Sequence, residues 1–459
     1  MAEKKAKDTL LSENPSSWDC FNSTKHKKDM EKLANDYITY ISENKTEREV
    51  VADAVRRAKD LGLEEGKIND NGAVFTLYGK AICIVKKGKE PLSNGIRLIG
   101  SHADSPRLDL KQHPFVEQCE VLQAKTHYYG GIRKYHWFST PLSLHGAIAK
   151  KDGSTVNVSI GDDDNDPVFV VSDLLPHLAR KQEMKKPVAE MFEAEKMNLI
   201  IGHTAKDNKE ENPIKKNILE IINKKYGVVE DDFYSAEMQV VPAGKARYIG
   251  FDKSLIGGYG QDDRICCFTS LEAFAEIKDP QYTTVLVMWD KEEIGSDGAT
   301  GAKSHFFENC IRDIRDAWEK ETPFRDIMRN TKALSSDVKA AMHPDYPEVY
   351  DKNNGAILGH GPIFSKFSGH GGKYSGNEAR AEYVAFLRNM FDEAGLPWQL
   401  AEMGKVDIGG GGTIAKFLAK YSMDIIDFGP GLLGMHSPFE VSSKVDLYTV
   451  YLAYKEFLK

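Results

Sequence analysis

A short apolar run at residues 285–289 constrains the fold of this chain more than any other stretch. Its sequence, Val-Leu-Val-Met-Trp, is rich in β-branched and aromatic side chains, which predicts a buried strand. The run ends abruptly in Asp-Lys-Glu-Glu, closing with Glu292 and Glu293, and a turn follows at Gly295. Two adjacent carboxylates at the exit of a buried strand are costly unless a positive group meets them. Because neighbouring side chains there point in different directions, we expect one carboxylate to bind a metal ion and the other to move a proton, with a solvated acidic turn as the alternative.

Two other predicted strands also lead into side chains that bind metals. Residues 96–100 form an apolar strand that is followed at once by His102 and Asp104. A carboxylate two positions from a histidine can hold the imidazole in one tautomer. Residues 423–429 form another apolar strand, and His436 follows one loop later. Because ligand sites of open α/β sheets gather beyond the carboxyl ends of the strands, these side chains are predicted to meet in one site.

The chemistry of this residue set favours a borderline divalent ion such as zinc, which binds imidazole nitrogen and carboxylate oxygen. Paired aspartates, Asp262 and Asp263, precede an apolar helix predicted over residues 265–277, where they can either cap the helix or join the site. A carboxylate shared between two ions would give the dinuclear arrangement of aminopeptidase-type hydrolysis. These loops contain no cysteine, which argues against a structural zinc site.

The chain has 459 residues, more than one typical core holds, so two domains are expected. Between residues 114 and 246, short strand-like runs alternate with turns, which predicts an inserted β-rich domain. The insert divides an α/β domain into residues 1–113 and 247–459. The acidic run at residues 162–166 lacks the glycine and the distal glutamate of a calcium-binding loop, so we expect a solvated turn there.

Composition excludes several classes of protein. A formal net charge of −8 argues against a nucleic-acid-binding protein, which would present a basic face. No apolar run approaches the length that spans a membrane, and the first residues lack the apolar centre of a signal peptide. The six cysteines show no C-x-x-C spacing and no disulfide framework. We therefore expect a cytoplasmic protein in a reducing compartment that binds neither nucleic acid nor membranes.

Five motifs in this chain occur in the same order in a known family. They are Ser-His-Ala-Asp-Ser-Pro-Arg from Ser101, Gln-Asp-Asp-Arg from Gln261, Asp-Lys-Glu-Glu-Ile-Gly-Ser from Asp290, Ser-Ser-Asp-Val from Ser335 with His-Pro following, and Gly-Met-His-Ser-Pro-Phe-Glu from Gly434. On these motifs the chain resembles the aspartyl aminopeptidase family over nearly its whole length. This resemblance implies a central mixed sheet flanked by helices, as in the zinc exopeptidases, with an inserted dimerisation domain. It also implies a homo-dodecamer, a tetrahedral particle built from dimers.

The resemblance also implies a set of metal ligands. His102 and Asp337 would hold one zinc ion, and Glu293 and His436 would hold the other. Asp262 would bridge the two ions. The residues alone neither select Asp337 nor distinguish Asp262 from its neighbour Asp263.

The resemblance also implies roles for Glu292, Asp104 and His177. Glu292 would be the general base, and Asp104 would orient its neighbouring histidine. His177, in the inserted domain, matches the surroundings of a family histidine that reaches into the active site of another subunit. His343 is a candidate donor to the oxyanion, with a turn histidine before proline as the alternative. Lys373, in a glycine-rich segment, is a further candidate for binding substrate.

The expected function is that of a metallo-aminopeptidase that removes the N-terminal residue from peptides. It would use two divalent ions per subunit, zinc in the first place, with cobalt or manganese as substitutes in vitro. Residues 129–138 and 368–374 resemble a bacterial branch of the family rather than the members associated with acidic substrates. Two alternatives are a related two-metal amide hydrolase that acts on N-acylated substrates and a non-catalytic shell or cargo protein of the same fold.

Overall fold

The structure, a computed structural model, describes Leu10, Ser12, residues 14–206 and residues 211–459. Helices and strands are numbered along the chain. None of the helices in the described residues is both long and apolar enough to cross a membrane. The helices are α1 (Ser17–Cys20), α2 (Thr24–Glu43), α3 (Glu47–Asp60), α4 (Pro176–Gln182), α5 (Val188–Met191), α6 (Pro213–Tyr226), α7 (Gln261–Glu276), α8 (Phe306–Trp318), α9 (Phe324–Asn330), α10 (Ala381–Glu393), α11 (Ala415–Leu418) and α12 (Lys444–Leu458).

Within the described part of the chain, an eight-stranded mixed sheet forms the centre of the fold. In spatial order its strands are β1 (Gly72–Leu77), β2 (Ala81–Lys86), β13 (Thr284–Trp289), β3 (Arg97–His102), β14 (Lys332–Ser336), β20 (Asp424–Gly429), β16 (Ile363–Ser365) and β18 (Gln399–Leu400). The four neighbours β13, β3, β14 and β20 run parallel to one another. Their carboxyl ends therefore lie at one edge of the sheet, which is where the predicted site residues follow.

The apolar strand β13 shows why helices cover both faces of this sheet. Successive side chains of a strand point to opposite faces. Val285, Val287 and Trp289 pack into a cluster with α8 and α9 on one face. Leu286 and Met288 pack with α7 and α12 on the other face. A strand buried on both faces favours apolar residues in succession, and residues 285–289 supply them. The predicted central mixed sheet flanked by helices is confirmed.

A second sheet is formed by the part of the chain that follows β3. Its strands lie between Arg107 and Pro242. It has its own buried apolar clusters, one of them around Trp137 and Leu199. This part of the chain overlaps the β-rich insert expected at residues 114–246, although β4 (Arg107–Gln118) begins before residue 114. The domain boundaries stay a prediction. In spatial order its strands are β7 (Thr155–Ile160), β6 (Leu142–Ala149), β10 (Ala236–Pro242), β4 (Arg107–Gln118), β5 (Val121–Tyr129), β9 (Leu199–Gly202) and β8 (Val170–Val171).

Two smaller groups of strands lie near the site edge of the central sheet. One sheet contains β11 (Arg247–Ile249), β12 (Leu255–Gly258), β22 (Glu440–Ser443), β21 (Gly431–Leu433) and β15 (Lys339–Ala340). The strand pair β17 (Gly369–His370) and β19 (Gly410–Gly411) is antiparallel. The antiparallel pairing of β12 with β22 brings the segment before α7 next to the loop that carries His436.

A buried group of charges joins the second sheet to helix α3. The two ring nitrogens of His145 lie 2.8 Å from Glu49 Oε1 and 2.9 Å from Asp162 Oδ2. Lys45 Nζ donates to Asp162 Oδ1 at 2.5 Å. Burial lowers the pKa of His145, but the contacts with Asp162 and Glu49 outweigh this effect and raise the pKa to about 9. Asp162 belongs to a run expected to face solvent, and the structure instead pairs it with two cationic side chains.

Candidate metal centre

His102 is the last residue of β3 and lies beside Trp289, the last residue of β13. Strand β3 therefore continues past the end of the strand predicted at residues 96–100, and the next residue, Ala103, donates its main-chain N–H to the carbonyl oxygen of Trp289. Its Nδ1 lies 3.0 Å from the carbonyl oxygen of Asp104 and 3.4 Å from the Asp104 carboxylate. Its Nε2 is directed at two other carboxylates, 3.3 Å from Asp262 Oδ1 and 3.7 Å from Asp337 Oδ1.

The turn after β13 carries the two adjacent glutamates. Lys291 has a left-handed φ of 67°, and a single turn of 3₁₀ helix, Glu292–Ile294, follows it. The main-chain N–H groups of Glu292 and Glu293 donate to the two carboxylate oxygens of Asp104, at 3.1 and 3.2 Å. The hydroxyl of Tyr129 donates to the same carboxylate at 2.8 Å. Asp104 thus contacts the His102 ring, as its predicted role requires, and in addition holds the glutamate turn.

Asp262 lies between the two histidines of the site. Its Oδ1 faces His102, and its Oδ2 lies 3.1 Å from His436 Nε2. Glu293 Oε2 lies 3.5 Å from the same nitrogen of His436. The neighbouring Asp263 instead accepts the main-chain N–H of His102 with Oδ2, at 3.3 Å. Of the two aspartates that the residues alone left undecided, only Asp262 has one oxygen directed at each histidine ring.

The donor atoms fit metal ions of the zinc type. Three overlapping sets of side chains could each hold an ion, because within each set the potential ligand atoms lie within 4.8 Å of one another. Asp262 Oδ1 and Glu293 Oε1 are buried and accept no hydrogen bond, which is unfavourable unless a cation is nearby. Imidazole nitrogens together with carboxylate oxygens are ligands that zinc accepts. The sets are His102 with Glu292 and Glu293, His102 with Asp263 and Asp337, and Asp262 with Glu293 and His436.

Burial and charge crowding perturb the two glutamates. Burial raises the pKa of Glu292 to about 8, and the carboxylates of Asp337 and Asp104 add to the rise against the opposing effect of His102. Burial also raises the pKa of Glu293 well above its usual range, with repulsion from Asp262 as the next contribution. A carboxyl group with a pKa near neutrality in a cleft is typical of a proton-transfer residue.

The histidines respond in the opposite direction. Burial lowers the pKa of His436, but the contact with Asp262 and the charge of Glu293 outweigh this effect and raise the pKa to about 11. The contacts of His102 with carboxylates likewise outweigh burial and raise its pKa well above the usual value. Carboxylates therefore outnumber imidazoles in this buried space, and such a set of donor atoms suits divalent cations.

A cavity of about 300 Å³ opens above these residues. His102, Glu292, Asp337 and His436 are among the residues that line it, and Lys373 lies on its wall. Much of the remaining wall is apolar or glycine-rich, and includes Val338, Ile363, Phe367, Met403, Met435, Gly369 and residues 409–412. The cavity therefore offers an apolar wall next to a cluster of metal-binding groups.

Two candidate substrate-binding residues lie elsewhere in the single chain. His177 is exposed on α4 and is not among the residues that line the cavity. His343 is also absent from the lining, and its Nδ1 accepts the main-chain N–H of Asp345 at 3.2 Å within a turn. The substrate-binding roles of both histidines stay predictions.

Residues 40–458 match the sequence profile of the family described as Aminopeptidase I zinc metalloprotease (M18). The chain belongs to the M18 family. A probable M18 family aminopeptidase 1 from Clostridium acetobutylicum is 46% identical over 461 residues, which cover 98% of this chain and 99% of that protein. The crystal structure of an M18 aminopeptidase from Thermotoga maritima has a TM-score of 0.92 and 42% identity, covering 98% of this chain and 100% of that one. The mApe1 dodecamer of S. cerevisiae shares the fold at 22% identity, with a TM-score of 0.73 and coverage of 93% and 96%.

These relatives confirm the family, the fold class and the kind of enzyme expected from the sequence. The M18 family is one of zinc metalloproteases, and its close bacterial members are named as aminopeptidases. The protein is therefore a zinc-dependent M18 aminopeptidase, a hydrolase.

Some contacts of this M18 site are not apparent from residue patterns. Tyr129 lies at the end of β5 and reaches Asp104 from the second sheet. The carbonyl oxygen of Gly131 lies 2.8 Å from His436 Nδ1, which leaves Nε2 directed at the centre. Glu440 closes the same motif as His436 and is buried, although no role was expected for it. In the sequence, its position four residues after the predicted ligand His436 was the only indication that Glu440 belongs to the site.

Proposed function

We propose that this chain is an aminopeptidase with two zinc ions in each subunit. The observation that carries the proposal is the position of Asp262, with one carboxylate oxygen towards His102 and the other towards His436. A carboxylate shared by two ions is typical of two-metal hydrolases. Asp337 would complete the ligands on the side of His102, and Glu293 on the side of His436. Cobalt or manganese should replace zinc in vitro because both accept the same donor atoms.

The proposed mechanism assigns the proton transfers to Glu292. Zinc ions bound by the ligands above would polarise the scissile carbonyl group and activate a water molecule at neutral pH. A carboxylate oxygen of Glu292 accepts the proton of the attacking water and returns it to the amine that leaves. The pKa of Glu292 is raised to about 8, with burial as the largest cause, and this value suits a group that must both accept and donate a proton. Asp104 keeps this carboxylate in place through the main chain of the turn.

The substrates would be peptides with a free N-terminal amine. A carboxylate at the cavity floor would hold the amine, which limits cleavage to one residue at a time. Lys373 lies on the cavity wall, where its side chain also donates to Glu378 at 2.8 Å. We infer that it contacts substrate from this position. His343 would approach the oxyanion only if its turn moved towards the cavity.

We also propose an assembly of twelve subunits built from dimers, with residues 114–246 as the dimerisation domain. The support is the dodecamer described for yeast mApe1 and an exposed apolar surface around α4 and α5. His177 lies on this surface and would enter the active site of another subunit. The cytoplasmic location expected from the sequence stays a prediction. The apolar side chains exposed here are Leu174, Leu175, Leu178, Met184 and Val188.

The variant Glu292→Gln tests the mechanism. It should retain two metal equivalents and the fold but lose at least about 100-fold in turnover, the usual contribution of a general base. Elemental analysis and a steady-state assay on aminoacyl reporters with added zinc, cobalt or manganese measure both quantities. Glu402→Gln is a matched control, because Glu402 lines the same cavity but belongs to none of the three ligand sets. Turnover of Glu292→Gln within a few-fold of the parent would contradict the assignment.

The same assay separates the alternative functions. Peptides with a free N-terminus and their N-acetylated forms are compared under identical conditions. An aminopeptidase cleaves only the free-amine series, whereas an amide hydrolase for N-acylated substrates favours the acetylated series. A non-catalytic shell protein would cleave neither series with any of the three metals.

A further inference from the structure

The two ligands that face each other across the centre, Asp262 and His436, are carried by irregular main chain. Asp262 has φ and ψ of −81° and 104°, outside the helical range, although it lies at the start of α7. His436 has a φ of 66°, a left-handed conformation that is uncommon for residues other than glycine. Neither conformation follows from helix or sheet hydrogen bonding, so other contacts must hold both residues in place.

Glu440 contacts both of these residues through their main chain. Its Oε1 accepts the N–H of His436 at 2.7 Å, and its Oε2 accepts the N–H of Asp262 at 3.2 Å. The side chain is 1% exposed and lies at the start of β22, opposite Gly258 of β12. Its carbonyl oxygen accepts the side-chain amide of Gln261 at 2.7 Å, which fixes the main chain of Glu440 as well.

A carboxylate is the side chain that this arrangement requires. An ionised glutamate offers acceptors on both oxygens, whereas glutamine offers one acceptor and one donor. With glutamine at position 440, the amide NH₂ would face either the N–H of Asp262 or that of His436, and one buried donor would lose its acceptor. Both oxygens of Glu440 accept N–H groups, and Glu440 belongs to none of the three ligand sets.

We propose that Glu440 is a positioning residue that sets the separation of Asp262 and His436 and thereby the affinity of the metal position between them. This inference rests on the proposed dinuclear function. It predicts that Glu440 affects the metal position of His436 more than that of His102, because His436 would serve one position only, whereas Asp262 would be shared by both.

The test is equilibrium metal binding by the metal-free full-length chain, measured by calorimetry or dialysis with zinc. The parent should bind two equivalents. Glu440→Gln should bind one equivalent about 10- to 100-fold more weakly than the parent, the range typical when a group that holds a ligand is removed. The other equivalent should lose less affinity, because only the shared Asp262 links it to Glu440. Glu440→Asp keeps the charge but is too short to reach both N–H groups, so its weaker equivalent should lie between the parent and Glu440→Gln.

Asp446 offers a matched control. Its buried carboxylate also accepts two main-chain N–H groups, those of Gly359 at 2.7 Å and Gly361 at 2.8 Å, and it belongs to none of the ligand sets. Asp446→Asn therefore measures the cost of the same chemical change away from the centre, and zinc binding should be unaffected.

Several outcomes would overturn the proposal. One is a Glu440→Gln variant that binds both equivalents as tightly as the parent, and another is an Asp446→Asn variant that weakens binding to the same degree. Failure of both Glu440 variants to fold would assign Glu440 to general stability instead. Fewer than two equivalents in the parent itself would refute the dinuclear function, and that result appears without any Glu440 variant.

Discussion

The Asp104→Asn substitution should destabilise the metal-free chain and displace the glutamate turn. The Asp104 carboxylate accepts three donors, the N–H groups of Glu292 and Glu293 and the hydroxyl of Tyr129. Asparagine has only one acceptor oxygen. If its NH₂ group takes the place of Oδ2, the hydroxyl of Tyr129 can rotate and accept, but the N–H of Glu293 cannot.

The expected cost follows from that single lost contact. Asp104 is completely buried, so the N–H of Glu293 would find no water in its place. A hydrogen bond to a charged group contributes about 1.5–3 kcal/mol, and an unsatisfied buried donor costs a similar amount. We therefore expect the free energy of unfolding to fall by about 2–3 kcal/mol. Turnover of the metal-loaded enzyme should fall about 10- to 100-fold because the turn carries both glutamates.

Chemical denaturation of the metal-free protein at one fixed concentration measures the stability change without a contribution from bound ions. Tyr129→Phe is the matched control, because it removes one donor to Asp104 but keeps both N–H contacts and leaves the ring beneath Arg107. It should cost only about 1 kcal/mol. An Asp104→Asn variant that is no less stable than Tyr129→Phe, or that turns over like the parent, would refute this account.

Three further predictions concern the ligands, the assembly and pH. His436→Ala should lose one of two zinc equivalents, and two full equivalents by elemental analysis would contradict the dinuclear assignment. His177→Ala should lower turnover with metal content intact, and reassembly with Glu292→Ala should restore part of the activity; no recovery in verified mixed particles would argue against action between subunits. The pKa of His145, where the contact with Asp162 outweighs burial, is raised to about 9 from its usual 6.5, so its stabilisation is complete below pH 6.5 and is lost as pH rises through 9. Thermal or chemical unfolding should therefore show that His145→Gln loses more stability at pH 6 than at pH 10. The difference between the two losses should be at most about 3 kcal/mol. An equal loss at both pH values would show that the charge of His145 is unimportant.

The elements that frame the site could be predicted from local patterns. Residues 285–289 are apolar at every position, which marks a strand covered on both faces, and the structure places all of them in the buried strand β13. The strands that lead to His102 and His436 were recognised in the same way. Because parallel strands end at a common edge, their following side chains could be expected to meet.

The boundaries of two elements differed from expectation for a local reason. The strand predicted at residues 96–100 is observed as β3, which continues through His102 because the polar Ser101 and His102 still pair with β13. The helix expected from residue 265 begins at Gln261, although Asp262 and Asp263 do not have helical dihedral angles. Apolar patterns locate the centre of an element well, but polar residues at its ends depend on their neighbours in space.

The kinds of ligand, and the strands that lead to His102, Glu292 and His436, were already determined by the order of residues along the chain, because hydrophobicity and strand period are local properties. Which oxygen faces which histidine was decided only by tertiary structure. Asp262 and Glu440 are 178 positions apart and meet because β12 pairs with β22. The same packing gives Asp262, rather than Asp263, its place between the two histidines. Hydrogen bonds between such distant segments depend on distances of tenths of an ångström, and no pattern within either segment encodes them.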